Sequence, residues 1–376
     1  MRNICRLLII LTTLAATACG ARKTTETQPI EGDTLALRHA SLLTIVECGT
    51  YSVVDIKSPW NDKLLHRYIL TEKGSAPPSD IPEGTLLRIP LDNMLIFSTV
   101  HSELICNLGR SHSIGGVCEA QYMTQPLLQQ RLGEGSLIDC GSTLNINSER
   151  VVQLAPEAVW VLPYENGGYG KMDKLPYPLV ECADYMENSP LACAEWMRFY
   201  GRLLGEGAKA DSLFAAVERD YLALRDSIRS HSTDAPTLMC ELKNGSAWYV
   251  PGGGSTMGQL YSDAGCDYLF AQHGQTGSVP LAFEAVLDRA AEADFWLIKY
   301  GGKRKTHKSL LAEFEGYKYF RPYKERNIYE CRLSEKRFYE ETPFRPDILL
   351  RELAAIFHPE IIKNHKPRYY EKMQEQ

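Results

Sequence analysis

Short apolar runs cut by glycine and proline open the patterned part of the chain. Ser41–Val46, Tyr51–Ile56, Arg67–Leu70 and Leu86–Ile89 read as strands, punctuated by Gly49, Pro59, Gly74, Pro77, Pro78 and Pro82. They predict a small antiparallel, β-rich extension over residues 40–90. From Met94 the pattern changes to short apolar strands alternating with helices, the mark of α/β units around a mainly parallel sheet. Met94–Phe97, Ser113–Val117, Ala158–Leu162 and Leu179–Glu181 supply the strands, with helices near Thr99–Leu108 and Glu149–Leu154. This predicts an N-terminal α/β lobe over 91–190.

A strandless stretch follows over 191–232. Glu195–Leu204 forms one helix, Gly205-Glu206-Gly207 interrupts it, and a longer helix runs from Ala208 to Ile228. In the latter Phe214, Val217, Tyr221, Leu224 and Ile228 recur every three or four residues, an apolar stripe on a rod roughly 30 Å long. Such a rod braces two lobes, or else lies at the edge of one large domain. After Pro236 the alternation resumes with Thr237–Cys240, helices near Thr256–Ala264 and Glu284–Ala291, the strand Phe295–Ile298 and a helix Asp347–Phe357. The predicted fold class is α/β: two Rossmann-like lobes joined by a long α-helix, the second over 233–376, with a small β-rich extension in front.

The first residues follow another logic. Arg2 and Arg6 precede an apolar run from Leu7 to Ala18, too short to span a bilayer, which predicts a signal peptide over 1–18. It closes on Ala16-Thr17-Ala18-Cys19, similar to the lipobox of bacterial lipoproteins, with Cys19 as the lipidated residue and 19–39 as a flexible tether. An ordinary secretory signal is the alternative. Buried acyl chains contribute about 0.8 kcal/mol per CH₂, so two or three of them hold a protein at a membrane.

Length and composition fit a two-domain globular protein: 376 residues, 44% hydrophobic and 23% charged. The net charge of −6 gives no general attraction for nucleic acid. Of the 11 cysteines, none sits in a C-x-x-C pair, and most read as small core residues. Gly252-Gly253-Gly254-Ser255-Thr256-Met257-Gly258 lacks the second glycine of a nucleophile elbow and the lysine of a P-loop. No H-x-x-x-H pair exists. The residues therefore point away from an enzyme, and no resident cofactor is expected.

In order and spacing the chain resembles the iron-complex and cobalamin periplasmic-binding family over roughly Leu91 to Pro359. The resemblance rests on Phe97-Ser98-Thr99-Val100-His101-Ser102-Glu103, Ile114-Gly115-Gly116-Val117, Asn147-Ser148-Glu149-Arg150, Trp248-Tyr249-Val250-Pro251 with the glycines after it, and Leu281-Ala282-Phe283-Glu284. Glu187-Asn188-Ser189-Pro190 with Glu195-Trp196 resembles a Bacteroidota subgroup. The resemblance implies two lobes with ligand held between them. It also implies a glutamate on each lobe, here Glu149 and Glu284, that docks into arginine pockets of an ABC permease and so reaches its ATPase. Each opens a helix, where the dipole favours a carboxylate; simple first-turn capping is the alternative.

Loops at the carboxyl ends of the strands should form the cleft. That nominates Ser98, Thr99, His101 and Tyr122 on the first lobe and Trp248, Tyr249 and Ser255 on the second, with flat aromatics suited to a metal chelate. The basic run Lys299 to Lys308, with Lys303 and Arg304, would favour an anionic ligand if it faces the cleft; a solvated loop is the alternative. The expectation is a monomeric, lipid-anchored periplasmic receptor for an iron complex, siderophore or haem. Cobalamin is the runner-up, weakened because Thr143 stands where cobalamin-binding relatives carry tryptophan. A chelatase-like enzyme would need a histidine facing a glutamate, and His101 and Glu103 are two apart on a helix, where side chains diverge. A surface adhesin would have no aromatic-lined cleft.

Overall fold

A computed structural model describes residues 30–61, 63–76, 80–231 and 235–375. The expected signal peptide, Cys19 and most of the tether lie outside the described residues. Gly32 onwards forms one compact unit; of the unit before it only Ile30 and Glu31 are described.

The extension is a five-stranded sheet, β1 (Asp33–Thr34), β2 (Leu43–Glu47), β3 (Tyr51–Lys57), β4 (Leu64–Glu72) and β5 (Thr85–Ile89), in sequential order. Its first four strands pair antiparallel, but β5 runs parallel to β4, with Tyr68 opposite Thr85 and Glu72 opposite Ile89. The expected purely antiparallel element is corrected to a mixed sheet. A two-residue hairpin cannot join parallel strands, and the long Lys73–Gly84 connection is what permits the crossover. The sheet is fused to the first lobe: the Tyr68 hydroxyl donates to Leu179 O and accepts from Glu181 N.

The first lobe holds five parallel strands, β6 (Met94–Ile96), β7 (Ile114–Val117), β8 (Ile138–Asp139), β9 (Ala158–Val161) and β10 (Leu179–Glu181), in the order β10-β9-β6-β7-β8. Both faces are covered, so the strands read as continuous apolar runs such as Ala158–Val161, buried throughout. In the second lobe β11 (Thr237–Cys240), β14 (Asp267–Tyr268), β16 (Phe295–Tyr300) and β17 (Ile328–Arg332) are parallel, ordered β14-β11-β16-β17, with β18 (Glu371–Lys372) antiparallel at the edge. A separate three-stranded antiparallel sheet joins β12 (Lys243–Asn244), β13 (Ala247–Pro251) and β15 (Ser278–Leu281).

The helices that position the site are α1 (Thr99–Asn107), α2 (Ser148–Leu154), α3 (Pro190–Glu195), α4 (Met197–Leu203), α5 (Gly207–His231), α6 (Thr256–Asp263), α7 (Phe283–Ala290), α8 (Phe338–Glu341) and α9 (Pro346–Phe357). The rod is α5, 25 residues and so about 37 Å long at 1.5 Å per residue. Phe214, Val217, Tyr221, Leu224 and Ile228, the stripe read from spacing, are all buried in it, against α4 and α9. Near its start Lys209 Nζ donates to Leu108 O at 2.7 Å in the first lobe. Further along, the Tyr221 hydroxyl and Arg229 both reach Asp263 at 2.9 Å in the second. All nine cysteines of the described residues are free thiols, seven of them buried. No helix among the described residues is long and apolar enough to cross a membrane.

Candidate functional site

A Rossmann-type sheet opens a crevice where strand order reverses, because neighbouring connections leave there in opposite directions. In the first lobe the reversal lies between β6 and β9, whose carboxyl ends run into Ser98 and Leu162. In the second it lies between β11 and β16, which end at Glu241 and near Lys299. All four residues line one cavity of ≈ 560 Å³ between the lobes. Its other walls come from α3 (Pro190, Cys193), the start of α6 (Ser255 to Met257), and the segment Phe338 to Leu349.

Two ion pairs flank this space, one buried and one partly buried. In the first lobe His101 Nε2 meets Asp184 Oδ1 at 2.9 Å, and the Tyr200 hydroxyl donates to the same oxygen at 2.5 Å. Burial opposes charge on the imidazole, but Cys182 and the hydrogen-bonded Asp184 carboxylate outweigh it and raise the His101 pKa to about 10. An imidazolium has no lone pair to offer a metal. In the second lobe Lys299 pairs with Glu241 and lies 5.6 Å from the centre of the Phe338 ring. Burial again opposes the charge; Glu241 and the surrounding Tyr261, Tyr370 and Tyr339 hold the ammonium pKa well above its ordinary value. Each cation at the cavity thus has its own anion. No group of three His, Cys, Asp or Glu side chains among the described residues is placed to hold a metal ion.

The glycine-rich loop brings α6 to the cavity. A Cβ on Gly252 would lie 2.1 Å from Gln275 O, and one on Gly253 2.0 Å from Ala271 O, so only glycine lets this backbone pack against 271–277. Ser255 caps α6, accepting from Gly258 N at 3.1 Å and donating to Gly252 O at 2.7 Å. Ser98 caps α1 in the same manner through Val100 N.

Of the residues nominated from sequence, Ser98, His101 and Ser255 line the cavity, and both serines spend their hydroxyls on caps. Thr99, Tyr122 and Tyr249 are not among its lining residues; Tyr122 and Tyr249 are exposed elsewhere. Trp248 is displaced from its expected place. It is 0% exposed in β13, its indole N–H donates to Cys240 O, and it packs on Trp296, Tyr317 and Phe320. Period-2 alternation turns it to the core and Tyr249 to solvent. Lys303 and Arg304 also stand apart. Arg304 lies 3.8 Å from Glu330 and 3.4 Å from Glu371, and Lys305 is held by Glu313, so the later part of the run is a surface loop apart from the cavity, while its first residue, Lys299, lines it.

The residues sequence reasoning missed are Asp184, Tyr185, Glu241, Lys299 as a cavity group, and Tyr339. Tyr185 and Tyr339 enter the lining from opposite lobes and stay 45% and 52% exposed, ready to be covered by a ligand. Segment α8 reaches across to the first lobe, packing on α1, with Arg337 paired to Glu103 and Thr124 donating to Glu340 at 2.6 Å. Glu149 and Glu284 are exposed in the first turns of α2 and α7. Among the described residues neither enters a side-chain hydrogen bond or ion pair.

Residues 107–334 match the family described as Periplasmic binding protein. The chain belongs to the periplasmic binding protein family. This periplasmic binding protein is thus a solute-binding protein, not an enzyme. It is 23% identical over 324 residues, 81% of its own chain and 75% of the relative, to an uncharacterized lipoprotein of Methanocaldococcus jannaschii. Its fold is similar to that of a periplasmic heme binding protein of Pseudomonas aeruginosa, with a TM-score of 0.59, 17% identity, and 76% of this chain and 99% of that one covered. It is also similar to a periplasmic vitamin B12 binding protein of Vibrio cholerae, with a TM-score of 0.53, 13% identity, and coverage of 73% and 99%.

Proposed function

We propose that this protein captures an iron complex, a ferric siderophore or haem, between its lobes and hands it to an ABC permease while tethered to the membrane by lipid at Cys19. The observation that carries the reading is the ≈ 560 Å³ cavity at the facing switch points of both sheets, within the roughly 300–1,000 Å³ usual for small-molecule sites. Its charges are internally paired and its free aromatic faces are Tyr185 and Tyr339. A flat chelate suits such walls, with apolar contact across its face and any acidic groups left at the mouth. Because His101 is held as a cation by Asp184, the metal would keep its own ligands rather than take one from that side chain.

Glu149 and Glu284, each exposed and unpaired at a helix start, are the proposed docking acids. The tether reading is supported by the lipobox-like run before Cys19 and by the lipoprotein description of the archaeal relative. Trp160 lies 5.8 Å from the His101 ring and makes a built-in reporter. Titrating the protein with haemin, ferrichrome and cyanocobalamin while following tryptophan emission should give saturable quenching by one iron complex, with Kd below about 1 µM. Tight binding of cyanocobalamin alone would overturn the ligand assignment, and binding of none would overturn the reading.

A further inference from the structure

Glu187 and Glu195 are not among the residues lining the cavity, yet their carboxylates are almost wholly buried. Glu195 is 0% exposed. Its oxygens accept three successive backbone N–H groups from the extension: Arg38 at 3.0 Å, His39 at 2.8 Å and Ala40 at 2.9 Å. Glu187 accepts the next two, Ser41 N and Leu42 N, both at 3.0 Å, together with the Ser41 hydroxyl at 2.8 Å and the Trp196 indole N–H at 2.9 Å. The Glu187 carbonyl in turn accepts from the Thr256 hydroxyl at 3.2 Å, at the start of α6 in the other lobe.

A second segment, 368–370, repeats the device. Glu352, also 0% exposed, accepts Arg368 N at 2.9 Å, Tyr369 N at 2.7 Å and Tyr370 N. Consecutive N–H groups curved around one anion make a concave receptor, and hydrogen bonds to an ionised acceptor are the strong ones. Glu195 belongs to α3, which gives Pro190 and Cys193 to the cavity, and Glu352 to α9, which gives Pro346 and Leu349. The helices α3 and α9 also touch each other.

We propose that Glu195 and Glu352 are positioning residues for the cavity: each receives a distant segment of the chain, 38–40 or 368–370, through its backbone N–H groups, and the two latches hold α3 and α9 where the ligand meets them. The β-rich extension is then part of the binding scaffold and not a spacer, and the Glu187–Trp196 motif is its receptor. The link to ligand residence rests on the reading that cargo occupies this cavity; the latching itself does not.

The test compares Glu195→Gln and Glu352→Gln with Glu218→Gln in the full chain. Glu218 contacts the same segment through side chains only, meeting Arg38 at 3.2 Å and His39 at 2.8 Å. Without ligand, Glu195→Gln should speed amide exchange of residues 38–40 and of Leu191–Glu195 by about 10- to 100-fold, the scale of a lost charged hydrogen bond. Strands β6 and β9 should keep their protection, and Glu218→Gln should match the parent. Haemin dissociation, followed by transfer to excess apomyoglobin, should accelerate about tenfold in both latch variants at a temperature where they stay folded. Unchanged helix exchange overturns the latch. Faster exchange with unchanged haemin release makes the glutamates mere pegs and overturns the positioning role. If the parent does not bind haemin, the haem assignment fails while the helix amides still decide the latch. Should Glu195→Gln not fold, Glu195→Asp keeps the charge, withdraws the oxygens by one methylene, and serves the same comparison.

Discussion

Replacing Asp184 by Asn leaves the shape of the cavity floor and removes the charge that His101 and Tyr200 share. Two effects result, and they separate by pH. The first is a loss of the order of 3–5 kcal/mol at pH 7, the usual consequence of removing one partner from a buried pair, since His101 and Asp184 are both about 2% exposed. The second concerns slope. The folded-state pKa of His101 is raised to about 10, above the ~6.5 of an unfolded histidine. The native state therefore holds a proton that the unfolded state releases. The contribution is complete below about pH 6.5 and is lost as pH climbs towards 10, at up to ~1.4 kcal/mol per unit. Between pH 7 and 8 this amounts to about 1.2 kcal/mol. His66, lowered by burial, acts below this window. Buried thiols such as Cys118 and Cys266, raised by burial, begin to contribute with the same sign as pH nears the ~8.5 of an unfolded cysteine, and do so alike in parent and variant. Urea unfolding at pH 7.0, 7.5 and 8.0 should therefore show the Asp184→Asn variant starting lower and falling less steeply than the parent, by up to about 1.2 kcal/mol over the unit. A flat parent, or a variant that keeps the parent's slope, refutes the reasoning.

Three further outcomes are expected. Reversing both proposed docking acids, Glu149→Lys with Glu284→Lys, should abolish uptake in cells yet leave the fluorescence titration unchanged, since both residues lie outside the cavity lining. Gly253→Ala places a Cβ 2.0 Å from Ala271 O, so the loop must shift; a Tm several degrees lower and weaker haemin binding should appear together in calorimetry. Tyr185→Ala and Tyr339→Ala should each weaken haemin binding about tenfold by removing an aromatic contact worth roughly 1.5 kcal/mol; the Tyr185 hydroxyl donates to Pro163 O and Tyr339 packs on Phe338, so Tm should fall by about a few degrees and binding is compared where both variants stay folded.

Much of the framework is legible in the sequence because it depends on local periodicity. The stripe on α5 repeats at helical spacing and is buried residue for residue, and β6, β9, β11 and β16 announce themselves as short apolar runs. The strands at Ala247–Pro251, Ser278–Leu281 and Ile328–Arg332 are harder to see. The first two mix exposed and buried positions, and Pro251 and Pro280 break the pattern that a strand usually shows; the third mixes buried and half-buried ones. The three-stranded sheet that the first two help build turns Trp248 inward, a choice that depends on which face meets Trp296.

By itself, then, the sequence determined most of the elements, their alternation, the rod and the two acids at helix starts, because each arises from neighbours within one or two turns of chain. Only the tertiary structure decided which groups meet at the cavity. His101 and Asp184 are 83 residues apart and Glu241 and Lys299 58 apart. Such pairs form because strand order puts distant carboxyl ends side by side. A buried charge then persists only where the fold delivers it a partner, and no spacing rule along the chain records that delivery.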